Sequence, residues 1–134
     1  MIPHAQQMCL LDGVLGWDGT RMSCTTDTHR AVDNPLRRNG RLGVLCGVEY
    51  AAQAMALHSV LAADAGRSRA GYLASIRALV CYVDRLDLVA ESLSIEIERL
   101  NGDGERAIYG FSLRDDSQVL LSGRAAVVLG NIAA

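Results

Sequence analysis

Residues 43 to 58, GVLCGVEYAAQAMALH, place a single carboxylate, Glu49, near the start of an otherwise apolar, alanine-rich run. From about Val44 to Asp64 the content of Ala, Leu and Met predicts a helix, and DAGRSRAG closes it with a glycine at a plausible C-terminal position. This helix is apolar on nearly every side, which a surface helix is not, so something must cover it. Alanines at 51, 52, 54, 56, 62 and 63 keep it thin, and a curved sheet could approach much of its circumference. A carboxylate in such a helix is costly unless it is paired or used, so Glu49 is the first candidate for chemistry.

The rest of the chain supplies the sheet. MCLLDGVLGWDGTRMSCTTDTHRA reads as two strands joined at Trp17-Asp18-Gly19, since Asp-Gly is a strong hairpin signal. Residues 32 to 43, VDNPLRRNGRLG, have the chemistry of a surface loop and lead directly into the helix. After the helix come GYLASIRALVCYVDRLDL and ESLSIEIERL, in which Leu93, Ile95 and Ile97 alternate with Ser94, Glu96 and Glu98, as in a half-exposed antiparallel strand. Turns at NGDG (101 to 104) and DDSQ then make the last three strands a meander. Two strands, a loop, one long helix and four strands predict an α+β chain, a single domain over residues 1–134. The expected architecture is a hot-dog fold, with a curved antiparallel sheet wrapped around one long central helix.

Composition removes several function classes. Half of the residues are hydrophobic and the net charge is -2, which favours neither disorder nor nucleic acid as a partner. All thirteen basic residues are arginine, so no lysine is present to form a Schiff base. MIPHAQQMCLLDG has no basic region followed by a long apolar run, and no uninterrupted apolar segment approaches the roughly 20 residues of a membrane span. A cytoplasmic protein without a membrane partner is expected. The cysteines at 9, 24, 46 and 81 form no CxxC pair, so neither a zinc site nor a redox motif is signalled, and no metal or organic cofactor is expected. Cys46 lies a turn before Glu49 but reads as a packing residue.

Several separated motifs carry a resemblance over nearly the whole chain. IPHAQQMCLLD resembles the opening of bacterial 3-hydroxyacyl-[acyl-carrier-protein] dehydratases, and GVEYAAQAMA resembles their acidic residue followed by an Ala-Gln pair. Together with GYLASIR, DRLD and SGRAAVVL, these are most similar to the dehydratase-like ApeP proteins of aryl-polyene pigment clusters. The resemblance implies a hot-dog dimer that binds a 3-hydroxyacyl chain on the phosphopantetheine arm of an acyl carrier protein. In such enzymes a histidine from the loop before the helix works with an Asp or Glu in the helix. Dehydration needs a base for the proton next to the carbonyl, an acid for the departing hydroxyl, and donors for the developing enolate oxygen. Backbone N–H groups of Val44 and Leu45, at the helix start, are the expected donors.

The family's histidine is missing from its place. Aligned without gaps from Glu49 it falls at Pro35, or at Asn34 after a shift of one, and no histidine lies between His29 and His58. The candidate catalytic residues are therefore Glu49 and His29, with Asn34 and Gln53 as substrate-orienting groups. His4 is a further candidate base, whereas His58, roughly half a turn around the helix from Glu49, reads as a satisfied helix histidine. Tyr50, Met55, Tyr72 and Tyr82 read as core residues that could line an acyl tunnel. Three readings follow: a dehydratase-like subunit that needs a histidine-bearing hot-dog partner, a competent dehydratase using Glu49 or His29, and a non-enzymatic carrier-protein binding module. The last is motivated by Arg37, Arg38 and Arg41 of the loop. The first permits a homodimer or a heterodimer. Thioester hydrolysis stands behind all three.

Overall fold

The computed structural model describes residues 9–62, 69–103 and 105–131. Strands β1 (Gly13–Trp17) and β2 (Arg21–Thr26) form the expected antiparallel hairpin. Its turn is closed by the Asp18 N–H to the Arg21 carbonyl at 2.8 Å, and one Asp18 carboxylate oxygen accepts the N–H groups of Thr20 and Arg21. Along β2, Met22, Cys24 and Thr26 turn inward and are buried, while the residues between them are not.

A 3-10 turn at Val44–Cys46 leads into helix α1 (Gly47–Leu61), so the helix begins at the predicted place and is α-helical from Gly47. Then come β3 (Arg69–Cys81), β4 (Leu93–Gly102), β5 (Arg106–Arg114) and β6 (Val119–Asn131). The six strands form one antiparallel sheet in the order β1-β2-β4-β5-β6-β3. The meander β4-β5-β6 sets Ile95 opposite Leu113, and Leu113 opposite Leu121, all fully buried beneath the helix. This is the expected hot-dog arrangement.

Gly47 shows how tightly helix and sheet meet. A Cβ at this position would lie 2.7 Å from Leu121 Cδ2 and 2.9 Å from Leu113 Cδ2. Gly47→Ala is therefore expected to destabilise the protein by about 1–3 kcal/mol through overpacking, read by chemical denaturation.

The sheet covers one stripe of α1 and leaves the other open. Gly47, Tyr50, Ala51, Ala54, Met55 and His58 are buried, whereas Val48, Ala52, Gln53, Ala56 and Leu57 are half-exposed and Glu49 and Val60 are exposed. Glu49 thus bears no burial cost within the protomer, contrary to the expectation that it sits in a fully enclosed helix. Val44–Leu61 is also apolar enough over 18 residues, at a mean hydropathy of 1.3, to pass for a membrane span by length and composition. Here its inner stripe is core. A second uncovered feature is β3, an edge strand with Leu73, Leu79 and Val80 exposed and a bulge at Ala78, whose φ of 54° is left-handed.

Candidate active site

The approach to the helix is pinned to the segment between β3 and β4. Leu42 donates its N–H to Asp87 Oδ1 at 3.0 Å and accepts from the Leu86 N–H at 2.8 Å. The Val44 N–H donates to the Asp84 carbonyl at 2.9 Å. That bond removes Val44 from the expected pair of oxyanion donors, because its hydrogen is already committed to the fold. Leu45, the other member of the pair, lies exposed at the helix entrance.

Arg85 grips Asp87 through two hydrogen bonds, of 2.5 and 3.1 Å, around a carboxylate side chain that is only 5% exposed. The Arg85 guanidinium, helped by the Leu42 N–H, holds the Asp87 carboxyl well below the usual carboxylate range. A carboxyl with a depressed folded-state pKa stabilises above its unfolded value, near pH 4, and that contribution is lost as pH falls toward the folded value. Stability measured from pH 6 downward is expected to fall less steeply in Asp87→Asn than in the parent.

Glu49 and Gln53, four residues apart, both lie on the open side of α1. Gln53 Oε1 accepts the Leu10 N–H at 2.8 Å, while the Leu10 carbonyl accepts from the hydroxyls of Thr26 and Thr28. Leu10 is thereby locked into the core by three side chains, and the Gln53 oxygen is committed to holding the chain ahead of β1 against the helix.

Asn34 is likewise internal. It is 6% exposed, donates from Nδ2 to the Thr28 carbonyl (2.8 Å) and to Tyr50 Oη (3.0 Å), and accepts the Leu36 N–H on Oδ1 (2.8 Å). Both donors and the carbonyl oxygen are used by the protein. The expected substrate-orienting role gives way to that of a loop organiser, with Tyr50 Oη also bonded to Thr28 Oγ1 at 2.9 Å. Tyr50 and Met55 are fully buried core residues, whereas Tyr82 is exposed.

His29 sits fully buried in a 3-10 turn, Thr28–Arg30. Its Nε2 lies 3.1 Å from the Val89 carbonyl, which can only accept, so the proton is on Nε2 and Nδ1 carries a lone pair. Nδ1 is buried without a hydrogen-bond partner among the described residues. Burial pushes the His29 pKa down, which keeps the ring neutral at pH 7. No described hydrogen bond or ion pair joins His29 to Glu49.

His58 is also fully buried, with Nδ1 2.8 Å from Tyr109 Oη and Nε2 2.8 Å from the Asp18 carbonyl. It ties the helix to the first hairpin and is satisfied, as its position suggested. His4 lies outside the described residues. Cys46 is half-buried with its Sγ 3.8 Å from the Leu36 carbonyl, and burial pushes the Cys24 thiol up to about 11. A groove of about 860 Å³ opens on the other face of the sheet, between Trp17, Arg21, Glu98, Gly110 and Arg124, and none of the candidate residues lines it.

The family model for ApeP-like dehydratases matches residues 1–132. The chain belongs to the ApeP-like dehydratase family. No curated protein matches this ApeP-like chain. Among solved structures it is similar to a chain of the dehydratase heterocomplex ApeI:P from Xenorhabdus doucetiae, at 24% identity over 98% of this chain and 89% of that one, with a TM-score of 0.79. A thioesterase from Haemophilus influenzae is 11% identical over 98% of this chain and 85% of that one, with a TM-score of 0.71. A mutant thioesterase from Pseudomonas aeruginosa is 11% identical over 96% of this chain and 86% of that one, with a TM-score of 0.70. At these identities the likeness speaks to the fold of the ApeP-like chain.

Proposed function

We propose that this chain is the dehydratase-like subunit of a two-subunit hot-dog dehydratase that acts in the cytoplasm on 3-hydroxyacyl chains carried by an acyl carrier protein, in fatty-acid or aryl-polyene type synthesis. The observation that carries the proposal is the open face of α1. Its apolar side chains Ala52 and Ala56 are half-exposed and Val60 is exposed, and Glu49 stands on the same face with no described hydrogen bond or ion pair to a histidine. Both described histidines are turned into the protomer's own interior. A second hot-dog chain on this face would bury the helix and supply a histidine opposite the carboxylate, and the similarity to a chain of the ApeI:P heterocomplex supports such an assembly.

In that assembly the partner's histidine takes the proton next to the thioester carbonyl. Glu49 delivers a proton to the 3-hydroxyl, which leaves as water. The electron pair of the broken C–H bond becomes the new C–C double bond. The N–H of Leu45 is the donor proposed for the developing enolate oxygen.

The expected result is low turnover for the chain alone, and turnover above that of either component when it is mixed with a histidine-bearing hot-dog dehydratase. Loss of water from a 3-hydroxyacyl carrier-protein thioester, followed by mass spectrometry, is the readout. Equal rates with and without this chain would defeat the proposal. Full activity of the chain alone would instead favour the self-sufficient reading, in which Glu49 works with His29.

A further inference from the structure

The end of β4 holds an asparagine side chain against the nitrogen of the glycine that follows it. Asn101 and Gly102 are the last two residues of the strand, and both are exposed. The Gly102 N–H donates to Asn101 Oδ1 at 2.7 Å. Cγ of Asn101 is one bond beyond that oxygen, so nitrogen and carbon stand near the separation of a near-attack pair, about 3–3.5 Å. No side chain hinders the nitrogen, and none would fit. A Cβ on Gly102 would lie 2.8 Å from the Arg106 carbonyl oxygen and 2.5 Å from Arg99 Nη2.

The same contact puts a cation at this peptide. The Arg99 guanidinium lies over Gly102, donates from Nη2 to the Asp103 carbonyl at 3.3 Å, and forms no ion pair among the described residues. A fixed positive charge there favours removal of the Gly102 amide proton and steadies the negative charge that gathers on Asn101 Oδ1 as the nitrogen adds to Cγ. The chain's other Asn-Gly pair is built differently. Asn39 and Gly40, with φ of 53° and 75°, are clamped in a two-residue turn by two 2.9 Å backbone hydrogen bonds between Arg38 and Arg41. No described hydrogen bond brings the Asn39 side chain to the Gly40 nitrogen.

We infer that Asn101-Gly102 is a self-modification site, where the folded chain converts Asn101 to aspartate and isoaspartate with Arg99 as the promoting group. The Gly102 nitrogen, losing its proton to solvent base, forms a bond to Asn101 Cγ. The bond from Cγ to the side-chain nitrogen breaks, and that nitrogen leaves as ammonia after taking up a proton. Water then opens the five-membered imide at either carbonyl, and no oxidant or reductant is needed. Opening at one carbonyl gives aspartate; opening at the other gives isoaspartate, which lengthens the main chain where Gly102 pairs with Ala107. Either product adds one negative charge, taking the net charge from -2 to -3, and sets the new carboxylate beside Arg99.

The test is peptide mapping by mass spectrometry of the purified full chain, sampled over time in warm, mildly alkaline buffer, with isoaspartate detected by enzymatic methylation. Asn101 is expected to convert about tenfold faster than Asn39 in the folded chain, and the two rates are expected to converge when the chain is unfolded in denaturant. Arg99→Gln is expected to slow conversion at Asn101 severalfold and to leave Asn39 as it was, with circular dichroism confirming that the variant is folded. Asn101→Gln, which would have to close a six-membered ring, is expected to remove the isoaspartate signal from this peptide. Equal rates at Asn101 and Asn39 in the folded chain, or conversion of Asn101 in denaturant alone, would overturn the assignment of the site. An unchanged rate in Arg99→Gln would overturn the role of the arginine.

Discussion

Glu49→Gln in the two-subunit assembly is expected to lower turnover by about 100- to 10,000-fold, the usual cost of removing a general acid or base. The amide keeps the size and much of the hydrogen bonding of the carboxyl group but cannot deliver a proton to a departing hydroxyl. Because Glu49 is exposed on the first turn of α1 within the protomer and no described ion pair holds it there, the substitution should barely touch the stability of the chain by itself. The remaining contribution is its charge at the helix start, worth roughly 0.3–1 kcal/mol. That separation makes the experiment decisive. A catalytic carboxylate loses kcat with the melting temperature nearly fixed, and retained turnover would show that Glu49 serves the assembly without touching the reaction. A fall confined to KM would move Glu49 from proton transfer to substrate binding.

The elements of the fold were legible because their signals are local. Asp18-Gly19 marks the first turn, alternation from Leu93 to Glu98 marks β4, and the alanine-rich run marks α1. The number of sides on which α1 is covered was not legible. An all-round apolar helix looks the same in sequence whether its second face is buried by its own sheet or awaits another chain, and only the structure separates the two. The site was less legible still. Position and residue type point Val44, Gln53 and Asn34 toward substrate or oxyanion contacts, but each bonds a backbone group of the fold, at Asp84, at Leu10, and at Thr28 and Leu36, and Asn34 bonds the Tyr50 hydroxyl as well. A backbone acceptor leaves no trace in a sequence. The same blindness hides the bond from His58 to the Asp18 carbonyl and the bond from His29 to Val89. One weak signal was available: the spacing of Thr26 and Thr28 in TTDT, two hydroxyls that meet on the Leu10 carbonyl.

Asn34→Ala provides the converse of the Glu49 experiment, with its large effect on stability. The truncation removes three hydrogen bonds and leaves the Leu36 N–H, the Thr28 carbonyl and Tyr50 Oη to find other partners in a nearly closed space. Each orphaned polar group costs about 1–3 kcal/mol when it stays buried, and because some reach water or one another the total is expected near 2–4 kcal/mol. For a chain of this length that corresponds to a fall of roughly 10 °C in Tm. Tyr50→Phe should cost less in the Asn34→Ala background than in the parent, since one of the tyrosine's partners has already gone, and the cycle of single and double variants measures that coupling. If Asn34 instead orients substrate, Tm would hold, KM would rise, and the two substitutions would be additive in stability. The two residues thus separate along different axes: Glu49 is exposed and is the carboxylate proposed for proton transfer, while Asn34 is buried and shapes the loop that leads to the helix entrance.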